Sequence, residues 1–203
     1  MAEPAPTLPR GRHAPPLEVR QDRQRSRLFA AAASVFARTG YADATAEAIA
    51  REAGMSKATF YEHFDNKEDC LLALFDAAIE QVLGAMRAAA QRHADARPEL
   101  RVRAMVEAFL ATLAGFPDAA RTLLVEIVGA GPRALARRDR ALDEAAGYIA
   151  EANASLASPH DAFAIVGAVV ELASRQLRTG RPAQLQELAP VVERLARGLM
   201  ADA

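Results

Sequence analysis

Residues 40–72 read GYADATAEAIAREAGMSKATFYEHFDNKEDCLL, and this stretch decides the fold. Thr45 suits a helix N-cap, and Ile49, Ala50 and Ala53 give the short helix behind it one apolar stripe. Gly54 supplies the turn, because glycine tolerates the backbone angles that end one helix and redirect the chain. Ser56 then caps a second short helix, in which Phe60 and Phe64 lie four apart and face inward. Lys57, Thr59, Tyr61 and His63 are left on its other faces. Two short helices joined by a glycine-containing turn form the helix-turn-helix, whose second helix enters the DNA major groove.

Outward from this stretch, 203 residues allow one large domain or a small domain beside a larger one. Hydrophobic residues make up 51%, enough for a core, while aromatics make up only 5%. Alanine leads, followed by Leu, Arg and Glu, a mixture that favours helix over sheet. No run approaches the ~18 apolar residues of a membrane span, and residues 1–20 lack the apolar core of a secretory signal. Cys70 is the single cysteine, which excludes an internal disulfide and fits a reducing cytoplasm. Its setting, CLLALF, makes it a small buried hydrophobe rather than a redox sensor.

A net charge of −1 is unlike that of a protein that coats nucleic acid, but distribution matters more than the total. Arg10, Arg12, Arg20, Arg23, Arg25 and Arg27 precede the motif with only Glu18 and Asp22 among them. A local basic face on a neutral protein suits specific site binding.

The pattern predicts an all-α chain of about nine helices with no confident strand. Residues 1–18 read as a disordered basic arm. A first helix is expected over 19–39, ended by Gly40, then helices near 45–52 and 56–63, and a long fourth helix from about Asn66 with Gly84 as a bend. Asp65 and Glu68 are spaced like a capping box for it. Further helices are expected over 98–114, 118–129, 132–154, 159–179 and 183–200. The N-terminal three helices, 19–64, would bind DNA; 65–203 would form a larger helical domain.

One decoy competes for attention. Residues 123–135, LLVEIVGAGPRAL, place Gly129, Gly131 and Ala134 as in a dinucleotide fingerprint, with Glu151 near the position of a ribose-binding acid. That fingerprint needs a sheet, and neither flank offers a strand. A helix ending at Gly129, followed by Pro132 in the first turn of the next, explains the same residues. A dinucleotide-dependent enzyme and a helical protein–protein adaptor are therefore the rival readings. His13, His63, His93 and His160 are scattered, and none has a Glu three residues before it, so no metal site emerges. Glu126 interrupts an apolar run and could face a ligand or water. Glu171 is spaced to pair with Arg175 one turn on. Lys67 sits in the first turn of a helix, where a cation opposes the helix dipole; it points either to water or to a phosphate seated on that helix N-terminus.

The 40–72 stretch resembles the TetR family of bacterial repressors. The match runs through Gly40, Tyr41, Thr45, Ile49, Ala50, Ala53, Gly54, Ser56, Thr59, Tyr61, His63, Phe64, Lys67 and Glu68. Ala44, Ala46, Met55, Ala58 and Phe60 depart from the family pattern but stay small or apolar. The resemblance implies phosphate contacts from Thr45, Tyr61, His63 and Lys67. Ser56, Lys57, Ala58 and Thr59 lie at the end of the recognition helix that reaches base edges. It also implies a non-catalytic, ligand-responsive transcriptional regulator, a repressor that leaves a pseudo-palindromic operator when a small molecule enters the second domain. No cofactor is expected.

An aliphatic, aromatic-poor interior suggests an apolar effector that is not strongly charged, with Met86, Met105, Phe109, Phe116, Glu126 and Tyr148 as candidate contacts. Residues 162–173, AFAIVGAVVELA, are apolar nearly all round, which a surface helix of a monomer could not sustain. With the final helix they predict a homodimer interface through Phe163, Val166, Gly167, Val169, Val170, Leu188, Val192 and Leu195. A two-fold dimer would place two recognition helices about one DNA turn apart.

Overall fold

A computed structural model of the chain describes residues 17–153, 156, 158–181 and 183–200. Nearly all of the expected basic arm, with Arg10 and Arg12, lies outside the described residues. Among the described residues there are nine α-helices and no strand. They are α1 (Leu17–Asp43), α2 (Ala46–Glu52), α3 (Lys57–His63), α4 (Lys67–Arg92), α5 (Pro98–Gly115), α6 (Pro117–Leu124), α7 (Pro132–Ala152), α8 (Pro159–Thr179) and α9 (Ala189–Met200). Single 3₁₀ turns at Glu126–Gly129 and Leu185–Leu188 precede α7 and α9. No single described helix is long and apolar enough to cross a membrane.

Local chemistry sets the helix ends. The Thr45 hydroxyl accepts from the Ala48 amide at 3.1 Å, and the Ser56 hydroxyl from the Thr59 amide at 3.0 Å. Between them Gly54 adopts φ +64°, a left-handed conformation that costs glycine little. Arg27 of α1 fastens this turn by donating to the Ala53 carbonyl at 2.6 Å, which satisfies an orphan group at the end of α2. Phe60 and Phe64 are buried and pack on each other, Phe64 also meets Phe29, and the Arg25 guanidinium lies 5.2 Å from the Phe29 and Phe64 rings alike.

Some boundaries differ from the pattern. The cap of α4 is one residue later than expected: Asn66, not Asp65, accepts from the Asp69 amide at 2.9 Å, and Asp69 takes the place assigned to Glu68. α4 runs through Gly84 without a break. α6 stops at Leu124, and a 3₁₀ turn carries the chain on to Gly129. Gly131, at φ +101°, caps α7 with Pro132 in its first turn, so the glycines of the decoy join two helices.

α4 is the central helix, packed chiefly on α5, while α7 lies on α8 and α1 reaches α6. One buried cluster runs from Leu28 to Ala196, so the N-terminal helices share a core with the rest of the chain. Burial pushes the Cys70 thiol up to about 12, in keeping with a packing role.

Candidate nucleic-acid interface and its link to an internal cavity

α3 buries Phe60 and leaves Ser56, Lys57, Ala58 and Tyr61 exposed, with Thr59 and His63 half-buried. The Ser56 and Thr45 hydroxyls accept from their own helices, which leaves each O–H to donate outward. In the case of Ser56 the Thr59 hydroxyl, 3.0 Å away, competes for it. Lys57 pairs with Glu47 of α2 and stands 6.0 Å from the Tyr61 ring. Their hydrogen bond and mutual attraction hold the Lys57 ammonium above and the Glu47 carboxyl below their ordinary values. Any anion approaching this face would have to compete with Glu47 for this lysine. His63 Nε2 lies 3.3 Å from Gln24 Oε1 of α1, and Arg20, Gln21, Gln24, Glu62 and His63 line one surface hollow. Glu47 and Gln24 matter only through contacts between helices, so sequence spacing gave no signal for either.

Lys67 has a different employment from the expected phosphate contact. Its ammonium donates to the carbonyls of Tyr41, Ala42 and Ala44 at 2.8, 2.9 and 2.9 Å, and lies 4.7 Å from the Tyr41 ring. These three bonds use all the donors a lysine has. Tyr41 and Ala42 lie in the turn beyond Gly40, where the helical backbone of α1 is interrupted, and Ala44 follows it, so the cation satisfies outgoing carbonyls of this corner.

Glu126 holds the same corner from the other side. Its Oε2 accepts from the Tyr41 amide at 3.0 Å, and its Oε1 is 3.4 Å from Arg121 Nε. Arg121 in turn donates to the Leu177 carbonyl of α8 at 3.0 Å. Gly40 is required there by its backbone, φ +78°, rather than by space, since a Cβ would meet the Glu126 oxygen at an ordinary contact distance of 3.6 Å. The corner of residues 40–44 is thus fixed to the head of α4 and to the end of α6.

α4 and α6 also form walls of an internal cavity with α5, α7 and α8. The space between atoms there, counted out through its open mouth, is about 650 Å³, but only about 50 Å³ is wide enough to hold the centre of a water molecule. It is a narrow apolar slot, lined by Phe75, Met86, Phe109, Leu124, Ile149 and Val169 among others. Of the expected ligand contacts, Met86 and Phe109 lie on it. Met105 is fully buried in the core but not on the slot, and Phe116, 60% exposed, lines an adjoining groove between α1, α4, α5 and α6 that shares Val82 and Leu123 with the slot. Tyr148 faces outward, donating to Glu144 at 2.5 Å and accepting from Arg87 at 3.0 Å. Glu126 serves the corner instead.

The expected dimer residues divide as well. Val166, Val169 and Val170 line the slot, and Leu188 and Val192 are buried within the protomer. Phe163 and Leu195 are exposed, Gly167 half so, and Val191 joins them on the outer face. Glu171 pairs with Arg178 at 2.9 Å, two turns on, not with Arg175.

Residues 28–74 match the family described as bacterial regulatory proteins, tetR family. That match covers the helix-turn-helix and the head of α4. The HTH-type transcriptional activator FasR of Mycolicibacterium smegmatis is 37% identical over 89 residues, 44% of this chain and 40% of that protein. This chain therefore matches well under two thirds of that relative's length. FadR of Bacillus halodurans, a fatty acid degradation regulator, shares the fold with a TM-score of 0.75 at 21% identity, over 85% of this chain and 97% of that one. FadR of Bacillus subtilis in complex with stearoyl-CoA gives 0.73 at 21% identity, over 84% and 96%. The exposed face of α3 lies within the matched residues 28–74, and the corner at 40–44 touches segments that continue into the walls of the slot.

Proposed function

We propose that this chain is a non-catalytic, ligand-responsive transcriptional regulator of the cytoplasm that binds a pseudo-palindromic operator as a homodimer. Residues 19–64 contact DNA, and the chain from residue 65 onward holds the effector and the partner subunit. The observation that carries this reading is the corner at 40–44, gripped at once by Lys67 and Glu126. Both belong to segments that lead directly into the walls of the slot.

The slot is too narrow to take a ligand without separating its walls. A ligand that occupies it favours conformers in which α4 and α6 stand further apart, where Lys67 and Glu126 cannot both keep their hold. The recognition helices then lose their spacing, and the operator is released in proportion to the ligand's preference for that conformer. An aliphatic occupant suits the lining, and the stearoyl-CoA complex of the similar B. subtilis FadR supports that choice. Thr45, Ser56, Tyr61 and His63 are assigned to phosphates or nearby bases, and Lys57, Ala58 and Thr59 to base edges. The dimer forms through the outer faces of α8 and α9, with Phe163, Gly167, Val191 and Leu195 at its centre. We assign it the role of repressor, although the relative FasR is named as an activator.

The test is a gel shift with duplexes from upstream of the chain's own gene. A retarded band with two protomers per duplex is expected, its affinity falling steeply as salt rises. Leu195→Glu should give monomers that bind far more weakly. Binding without preference for any upstream duplex would end this reading.

A further inference from the structure

The slot has a charged end. Its wall is apolar except for the side chain of Arg138, which extends the lining stripe of α7 one turn beyond Ala141. α4 and α7 run parallel beside it, since Arg133 meets Glu68 and Asp69, Arg137 meets Asp76, and Arg87 meets Tyr148. Phe75 and Arg138 therefore mark one end of the slot, and Met86 and Ile149 the other.

The arginines of this region are not equivalent. Arg133 and Arg137 are held by acids of α4. Arg138 has one acidic neighbour, Asp139, at 3.7 Å, and that carboxylate is 68% exposed. A guanidinium against an apolar wall with so weak a partner is poorly compensated, whereas a carboxylate or phosphate would meet its planar fork with two hydrogen bonds.

We propose that Arg138 anchors the anionic head of an amphipathic ligand whose aliphatic tail fills the slot. This rests on the slot being the effector site. The lining on α4 from Phe75 to Met86, and on α7 from Arg138 to Ile149, each covers twelve residues, that is eleven helical steps. That is roughly 16 Å of helix. An extended alkyl chain advancing about 1.25 Å per carbon covers this length in about 13 carbons. The ligand is thus a medium- to long-chain acid or its anionic conjugate, and the effector is charged at one end, contrary to the expectation from composition. The head sits at the end of the slot nearer to the Lys67 terminus of α4.

Isothermal titration calorimetry of the full chain with dodecanoate, dodecanol and dodecanoyl-CoA tests this. Wild type should bind at least one of the two anionic probes more tightly than the alcohol. Arg138→Gln should weaken that probe by about ten- to hundredfold, the scale of a charged hydrogen bond, and leave the alcohol unchanged. Arg138→Lys should restore part of the loss. Dependence on Arg138 with dodecanoate identifies a carboxylate head, and dependence with the thioester alone identifies the phosphates of the conjugate; either supports the anchor. If Arg138 merely covered the slot with its stem, Arg138→Gln would change all three probes alike, which overturns the proposal. Equal binding of acid, alcohol and thioester by wild type overturns it too while leaving the slot as effector site. A wild type that binds none of them overturns both the anchor and the aliphatic effector, and the gel shift still reports separately on DNA binding.

Discussion

α3 and α8 use apolar residues in opposite ways. α3 buries one aromatic face, through Phe60, and keeps its remaining surface polar and open, so its orientation follows from its own pattern. α8 is apolar on nearly every side, and the structure divides those sides between two tasks: Val166, Val169 and Val170 line the slot, while Phe163 and Ala164 face outward. A one-sided helix declares its partner surface. A helix that is apolar all round declares only that it has more than one.

The sharpest way to break this contrast is to truncate the same side chain in each region. Phe60→Ala removes a fully buried ring from the tightly packed helix-turn-helix and should cost about 3–5 kcal/mol in urea unfolding, with loss of DNA binding. Phe109→Ala removes a ring that borders an existing space, so the cost should fall at or below the lower end of that range. It should also admit a bulkier aliphatic ligand than wild type takes. Equal costs at the two positions would mean that the slot is packed as solidly as the N-terminal core.

Next in size is the corner. Glu126→Ala strips the Tyr41 amide and Arg121 of their common partner, and about 1.5–3 kcal/mol of stability should go with it. Operator affinity should fall even though Glu126 touches no DNA. Lys67→Ala leaves three carbonyls of the corner without a donor and should likewise reduce melting temperature and operator affinity together. Its salt slope separates the two roles: an unchanged slope marks a positioning residue, and a slope shallower by about one marks a phosphate contact.

How far each region could be read from sequence follows from the range of its interactions. Thr45, Gly54 and Ser56 act on residues within one turn, so the bounds of α2 and α3 were legible. The α4 cap was misplaced because Asp65 and Asn66 are adjacent, equally plausible caps, and only the Asn66–Asp69 bonds separate them. Lys67 could be judged only against its own helix, since the carbonyls it binds lie more than twenty residues earlier. Met86 and Met105 both sit on apolar stripes, yet one meets the slot and the other solid core. Periodicity locates an apolar face; it carries no information about whether that face meets atoms or space.

The smallest expected effect lies on the recognition surface. Glu47→Gln removes the competitor for Lys57 and should tighten operator binding slightly, with no loss of stability, because both partners are solvent-exposed. Lys57→Ala should relax base preference without altering the salt response by more than one contact. Competition of operator variants against the two proteins reads this directly.

The central claim is that filling the slot loosens the corner at 40–44 and with it the operator. The direct measurement is operator affinity at increasing occupancy of the slot by whichever aliphatic probe binds, with occupancy followed in the same solution, for wild type and Glu126→Ala. Wild-type affinity should fall as the slot fills, and the fall should be smaller in Glu126→Ala, where one of the two holds on the corner is already gone. A wild type whose slot is saturated while its operator affinity stays constant would contradict the account.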